Sequence, residues 1–258
     1  MTTIIAVANQ KGGVGKTSTT INLADAYARF DHRVLIIDAD PQANATSIVD
    51  AEVDIETRTL NDVLVATSAG TVKTGALSAA ITGASPAWKG IDIVPAERSL
   101  ANRDSDNSPG REYLLSRAAD GALEDYDVVL IDCPPALGSL TLMALTAADK
   151  VLIVSEPRAS SVEGVDELNT TIDTVRSYYN QQLTVAGIVI NRWRNDRLDR
   201  TVWRDQLRAT YGDLVIDHPL PEREVVATAA TNRVPIPRRE GYSYLAPLEA
   251  VANLILTV

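Results

Sequence analysis

Residues 4–20 read Ile-Ile-Ala-Val-Ala-Asn-Gln-Lys-Gly-Gly-Val-Gly-Lys-Thr-Ser-Thr-Thr. An apolar run, Ile4 to Ala8, feeds a glycine-rich turn, and Ile21, Leu23, Ala24 and Ala28 follow as the apolar residues of a helix. The stretch predicts a strand, a phosphate-cradling loop and a helix, in that order. Gly12, Gly13 and Gly15 admit positive φ and let backbone N–H groups converge on phosphate oxygens. Lys16 supplies a point charge for the β- and γ-phosphates, and Thr17 a hydroxyl ligand for Mg²⁺. A helix starting near Thr17 aims its positive end at the same anion. With Lys11, Val14 and Ser18, these residues form the candidate nucleotide-binding loop.

The ordinary Walker A spacing, G-x-x-x-x-G-K-[ST], calls for glycine at position 10, where this chain has Gln10. It has instead a second lysine, Lys11, opening K-G-G-x-G-K-T. In this the stretch resembles the deviant Walker A loop of the ParA/MinD family of P-loop ATPases, within it the ParA (Soj) type.

Two later segments extend the resemblance. After the apolar run Val34–Ile37 comes Asp38-Ala39-Asp40-Pro41-Gln42-Ala43-Asn44-Ala45-Thr46. Two carboxylates just past a buried strand can hold a metal-bound water or orient an attacking one; standing alone, the same text is a turn signal. It is similar to the family's switch I, D-x-D-P-Q-G-N-A-T, with Ala43 in place of glycine. The resemblance implies that Asp40 positions the attacking water and that Asp38 supports Mg²⁺ or Lys16. The second segment, Asp127 to Pro135, is an apolar strand ending in Asp132, the Walker B layout. Asp132 would reach Mg²⁺ through water, opposite Thr17, and Pro134-Pro135 stiffen the loop beyond.

Asn191 ends a later apolar run, where its amide can read an adenine edge as donor and acceptor together. Leu220, Pro221 and Glu222 are similar to the family's adenine loop, which implies backbone contacts to the base. The resemblance runs from Ile4 to the helical stretch Tyr244–Ile255 and is weak between residues 50 and 90.

Around the loop, apolar runs recur at Val34–Ile37, Ile91–Val94, Val128–Ile131, Val151–Val154 and Val185–Ile190. Helical patterns separate most of them, among them Asp25–Phe30, Arg111–Leu123 and Ser161–Tyr178. Continuous apolar strands alternating with helices predict an α/β fold: a doubly wound, mostly parallel sheet with helices on both faces, ligands at its carboxyl edge. With the loop, the resemblance implies a P-loop NTPase of the deviant Walker A type. The 258 residues fit one domain, 1–258. Residues 50–90 read as short helices and loop, and Asn102–Gly110 as an exposed mobile loop.

Composition bounds the function. A 45% hydrophobic and 22% charged chain reads as soluble and globular. The phosphate loop starts too near Met1 for a leader, and no apolar run reaches the ~20 residues of a membrane helix. Cys133 is the single cysteine, which excludes a disulfide framework and a subunit-bridging iron–sulfur site and suits a reducing, cytoplasmic setting. His32 and His218 lack metal-ligand spacing. The net charge of −10 argues against nucleic acid in general, yet the segment 191–208 is locally positive. It holds Arg192, Arg194, Arg197, Arg200, Arg204 and Arg208 against Asp196, Asp199 and Asp205.

The resemblance implies a homodimer that sandwiches ATP, with Lys11 reaching the partner's phosphates and Lys11, Lys16 and Asp40 carrying catalysis. It implies nonspecific binding of double-stranded DNA near Arg192, Arg194, Arg197, Arg200 and Arg223, stimulation by a ParB-like centromere-binding protein, and a nucleoid-associated place in the cytoplasm. The other reading of the arginines is a solvated helix face with i,i+4 pairs. The alternative is a MinD-like or other ParA-like ATPase that positions a non-DNA cargo. A MinD-like membrane switch would need basic residues beside a C-terminal apolar face, and Leu248–Val258 has none. A kinase variant would carry a tyrosine-rich tail, and no helix-turn-helix text precedes the loop.

Overall fold

Each of the apolar runs becomes a strand, and the order of the strands places the loop. The computed structural model describes residues 2–71, 74–194 and 198–257. Strand β1 (Thr3–Ala8) lies between β5 (Val128–Asp132) and β6 (Lys150–Ser155), parallel to both. Beyond β5 come β2 (Val34–Asp38) and β4 (Ile91–Val94); beyond β6 comes β7 (Thr184–Ile190), all parallel. A two-residue strand, β3 (Thr82–Gly83), closes the β4 edge antiparallel. The order among the described residues is β3-β4-β2-β5-β1-β6-β7.

Strand side chains alternate between two cores. Ile5 and Val7 of β1 face one layer with α1 (Lys16–Arg29), α2 (Asn44–Ile48), α8 (Glu224–Thr231) and α9 (Arg238–Thr257). Ala6 and Ala8 face the other, with α3 (Leu60–Ser68), α4 (Leu114–Ala119), α5 (Ser139–Ala147), α6 (Ala159–Tyr178) and α7 (Leu198–Tyr211). This is the expected doubly wound sheet. The chain winds outward from β1 through β2 and β4, then returns through β5 to β6, so the strand order switches beside β1. The carboxyl ends of β1, β2 and β5 therefore face one crevice.

Two expectations need correction. Asn102–Gly110 is not a free loop throughout, since its first residues belong to a 3-10 helix, Arg98–Ser105. Asp104 there accepts the Leu140 N–H (3.2 Å) and so holds the start of α5, which lacks a cap of its own. The helix read over Arg111–Leu123 is a 3-10 turn, Arg111–Tyr113, followed by the short α4, and the chain turns away at Gly121 with φ of 77°. Within the weak stretch 50–90, α3 starts on a reciprocal Thr59–Asp62 capping box, a signal that serine- and threonine-rich text disguises.

Candidate functional site

The loop after β1 folds as its glycines require. Gly13 and Gly15 hold φ of 81° and 92°, a region L side chains avoid. Gly15 has a second constraint: a Cβ there would stand 2.2 Å from Asn191 Nδ2. Lys16 opens α1, is buried, and donates from Nζ to the Lys11 carbonyl (3.2 Å) across the loop. Burial pulls its pKa down, opposed by the nearby carboxylates of Asp132 and Asp40 and by the Cys133 side chain. The first turn of α1 carries no acidic residue, so its positive end is left to an external anion.

Asp38 and Asp132 are register partners at the ends of β2 and β5, both fully buried. Asp132 Oδ1 accepts the Thr20 hydroxyl (3.0 Å), and the Thr17 hydroxyl also bonds this carboxylate. Its Oδ2 is buried without a partner. That orphan oxygen, beside Thr17 and the loop, fits a magnesium ion carried in with phosphate. No cluster of three or more His, Cys, Asp or Glu among the described residues would hold a metal alone. Asp38 has an anchoring role that its expected support of Mg²⁺ or Lys16 did not include. Its Oδ2 accepts the Thr46 N–H (2.8 Å) and hydroxyl (2.7 Å), and Oδ1 accepts the Asp40 N–H (3.2 Å). Both oxygens hold the switch segment in shape, which makes Asp38 its anchor. Asp40 is nearly buried, its Oδ1 on the Gln42 N–H (2.9 Å).

Burial pushes the Asp38 and Asp132 carboxyls above the ordinary carboxylate range, with repulsion from Asp38 adding to it at Asp132 and a smaller repulsion from Asp40 at Asp38. The folded protein therefore keeps protons that the unfolded chain releases, and this pair makes stability fall as pH rises from about 4 to about 7. Asp132→Asn is expected to flatten that fall and to stabilise the ligand-free protein at pH 8 by about 1–3 kcal/mol. Urea unfolding at pH 5 and pH 8 checks it; a variant less stable than the parent at pH 8 would contradict the sign.

Beyond Gly15 and Ser18 the crevice opens into a cavity of about 640 Å³, walled by Asn191, Pro221, Val226 and Tyr244. A second cavity of about 650 Å³, between Arg58 and Ser78, contains none of the candidate residues. Asn191 Nδ2 donates to the Val14 carbonyl (2.9 Å), so it ties the loop to β7 with one amide hydrogen and keeps its oxygen and the other hydrogen for a base. Leu220 is corrected: its side chain is in the core, its N–H donates to Ile190 O and its carbonyl accepts from Trp193. The Glu222 N–H is likewise bonded to Trp193 O. Of the predicted base loop, Pro221 and Glu222 line the cavity, and neither offers a free N–H.

Strand order, loop and paired carboxylates are the marks of a P-loop ATPase, and comparison with known proteins narrows this. A family model described as an AAA domain matches residues 2–185. The chromosome partitioning protein ParA of Caulobacter vibrioides is 37% identical over 238 residues, 90% of this chain and 85% of that one. The chain belongs to the ParA/Soj family of P-loop ATPases. The chromosome-partitioning ATPase Soj of Thermus thermophilus is 34% identical over 225 residues, 87% of this chain and 83% of that one. Among solved structures, cobyrinic acid a,c-diamide synthase of Mycobacterium smegmatis with a bound ATP analogue and magnesium superposes with a TM-score of 0.83. It is 30% identical, with 99% of this chain and 94% of that one covered.

The arginines expected to meet DNA have partners of their own in this fold. Arg192 has φ of 52° and pairs with buried Glu156 (2.8 Å). Arg194 and Arg200 lie 3.8 and 4.0 Å from Glu222. Arg204 pairs with Asp205 and stacks over Trp193, and Arg208 pairs with Asp217. Every described arginine from 192 to 208 thus has an acidic partner, most of them on another element. The expected i,i+4 pairs along one helix are not what holds them. Arg197 lies outside the described residues. Arg223 is exposed and donates to Ser243 Oγ (2.9 Å). Sequence reading missed Glu156, held by Arg158 and Arg192, because Val-Ser-Glu-Pro reads as the end of a strand. No described helix is long and apolar enough to cross a membrane.

Proposed function

We propose that this single-domain chain, residues 1–258, is a Mg²⁺-dependent ATPase switch for DNA partition. The observation that carries the reading is the convergence of buried Lys16, the orphan oxygen of Asp132 and the anchored Asp40 at the carboxyl edge of β1, β5 and β2. Residues Lys11 to Ser18 cradle the phosphates of ATP. Thr17, and Asp132 through water, hold Mg²⁺, which supplies charge neutralisation at the phosphates. Asp40 holds the attacking water. Asn191 accepts from the adenine amino group through its oxygen, beside Pro221 and Glu222. Two protomers close face to face with ATP between them, Lys11 reaching the partner's phosphates, and a ParB-like protein stimulates hydrolysis and release. The relatives named for chromosome partitioning support this reading, and a nucleoid-associated, cytoplasmic place follows from the proposed DNA binding.

The ATP dimer binds double-stranded DNA without sequence preference, through Arg194 and Arg223 together with their copies on the partner. One protomer binds weakly because Glu222 competes with phosphate for Arg194; dimerisation doubles the contacts and makes DNA binding follow ATP by valence. Fluorescence anisotropy on a random duplex is expected to show binding with ATP and none with ADP. The log–log salt slope should be roughly −4 to −5 if about 4–6 phosphates are neutralised. Arg194→Glu with Arg223→Glu should weaken binding on all sequences alike and flatten the slope. A wild-type ATP dimer that binds no duplex at ~50 mM salt overturns the DNA reading. The acidic pairing of the arginines then favours the second reading, a ParA-like ATPase that positions a non-DNA cargo.

A further inference from the structure

Tyr244 stands on α9, far along the chain from the phosphate loop, yet it is one of the residues that line the cavity. The residue is 2% exposed, and its hydroxyl is buried without a hydrogen-bond partner. Burial pushes the phenol pKa far up, so Oη keeps its proton and is a donor that wants an acceptor. The ring packs in the apolar layer with Ile21, Leu245 and Leu248, work that phenylalanine would do as well without burying a lone donor. Packing therefore explains the ring and leaves the hydroxyl unexplained.

The surroundings of Oη say what it would meet. The polar group facing it is the Ser18 hydroxyl, outside hydrogen-bond geometry but close enough to affect the phenol. Ser18 lies in the first turn of α1, two residues after Lys16, and lines the same cavity. A polyphosphate cradled by residues 11–17 must pass this corner to place a sugar and base in the cavity between Ser18 and Val226. The anion at that corner is the phosphate joined to the sugar. Its oxygens are acceptors, and Ser18 Oγ and Tyr244 Oη are adjacent donors.

We propose that Tyr244 is a positioning residue of the nucleotide site. Its Oη turns the Ser18 hydroxyl toward, and shares with it, the phosphate bonded to the ribose. The assignment rests on the nucleotide reading above and adds α9 to the binding site. Because Tyr27 Oη on α1 already bonds Ala252 O on α9 (3.0 Å), nucleotide occupancy would tighten the docking of the C-terminal helix at a second point.

Tyr244→Phe tests this with the ring retained. ADP and ATP affinities, by titration calorimetry with Mg²⁺, are expected to fall together by roughly 10–150-fold, the loss of one charge-assisted hydrogen bond. The ligand-free melting temperature should stay level or rise, because a lone buried donor has been removed. KM should rise with kcat within about twofold, since the interaction is the same in ground and transition states. Ser18→Ala should give a similar loss, and the double variant little more. A Tyr244→Phe protein that binds ADP like wild type overturns the assignment, as does one whose ligand-free form melts well below wild type. Wild-type protein that binds neither ADP nor ATP overturns the nucleotide reading itself.

Discussion

Lys16→Ala is expected to lower Mg-ATP affinity at least ~100-fold and to abolish ATP-dependent dimerisation, the scale of stranding a desolvated charge without its partner. The lysine is buried, and its ammonium crosses the loop to the Lys11 carbonyl, so it occupies the phosphate path before any ligand arrives. Its nearest opposite charges are Asp132 and Asp40, and the alanine variant leaves both without a cation. The Asp132 carboxyl should then titrate at still higher pH, and the ligand-free variant should be more stable at pH 5 than at pH 8 by a wider margin than wild type. That pH signature distinguishes a folded protein without its phosphate contact from one that has simply unfolded. Lys11→Ala should behave differently. On the proposed role of its side chain across the dimer, the monomer should keep measurable ATP binding and lose only the dimer and turnover. Calorimetry that finds Lys16→Ala within threefold of wild type would remove the loop from the nucleotide site.

Much of this was legible because one kind of physics dominates there. Buried parallel strands must be apolar along their whole length, so Val34–Ile37 and Val128–Ile131 announced themselves, and the loop glycines followed from φ. The two-residue β3 carries no such pattern, and α3 is revealed by a capping box rather than by periodicity. In the site, residue types were readable but their allegiances were not. Asp38 and Asp40 look equivalent in sequence; only the fold shows Asp38 bonded by Thr46 on one oxygen and Asp40 on the other. The arginines after Asn191 counted as local positive charge because Glu156, Asp217 and Glu222, which answer Arg192, Arg208 and the pair Arg194 and Arg200, lie on other elements. Charge summed along a segment misses partners that the fold brings across.

Asp40 carries the other large effect. Asp40→Ala should hydrolyse ATP about 10²–10⁴-fold more slowly while ATP affinity stays within a few-fold, leaving the ATP dimer trapped. The side chain does two things at once. Its Oδ1 shapes the turn by accepting the Gln42 N–H, and its charge faces Lys16 at the edge of the phosphate path. Alanine removes both, so Asp40→Asn is the sharper variant: the amide oxygen still accepts from Gln42 and the turn survives, while the charge that would orient an attacking water is gone. If water positioning is the role, both variants should be slow, and both should accumulate as ATP dimers on size exclusion. A slow alanine variant beside a normal asparagine variant would assign the effect to the turn. Turnover within about twofold of wild type in both would move the water to another residue. Asp38 is the next carboxylate along the chain, but its oxygens are committed to Thr46 and the Asp40 N–H. To reach the water it would have to release the segment it holds, which is why Asp40, whose second oxygen has no such commitment among the described residues, is the residue proposed to act.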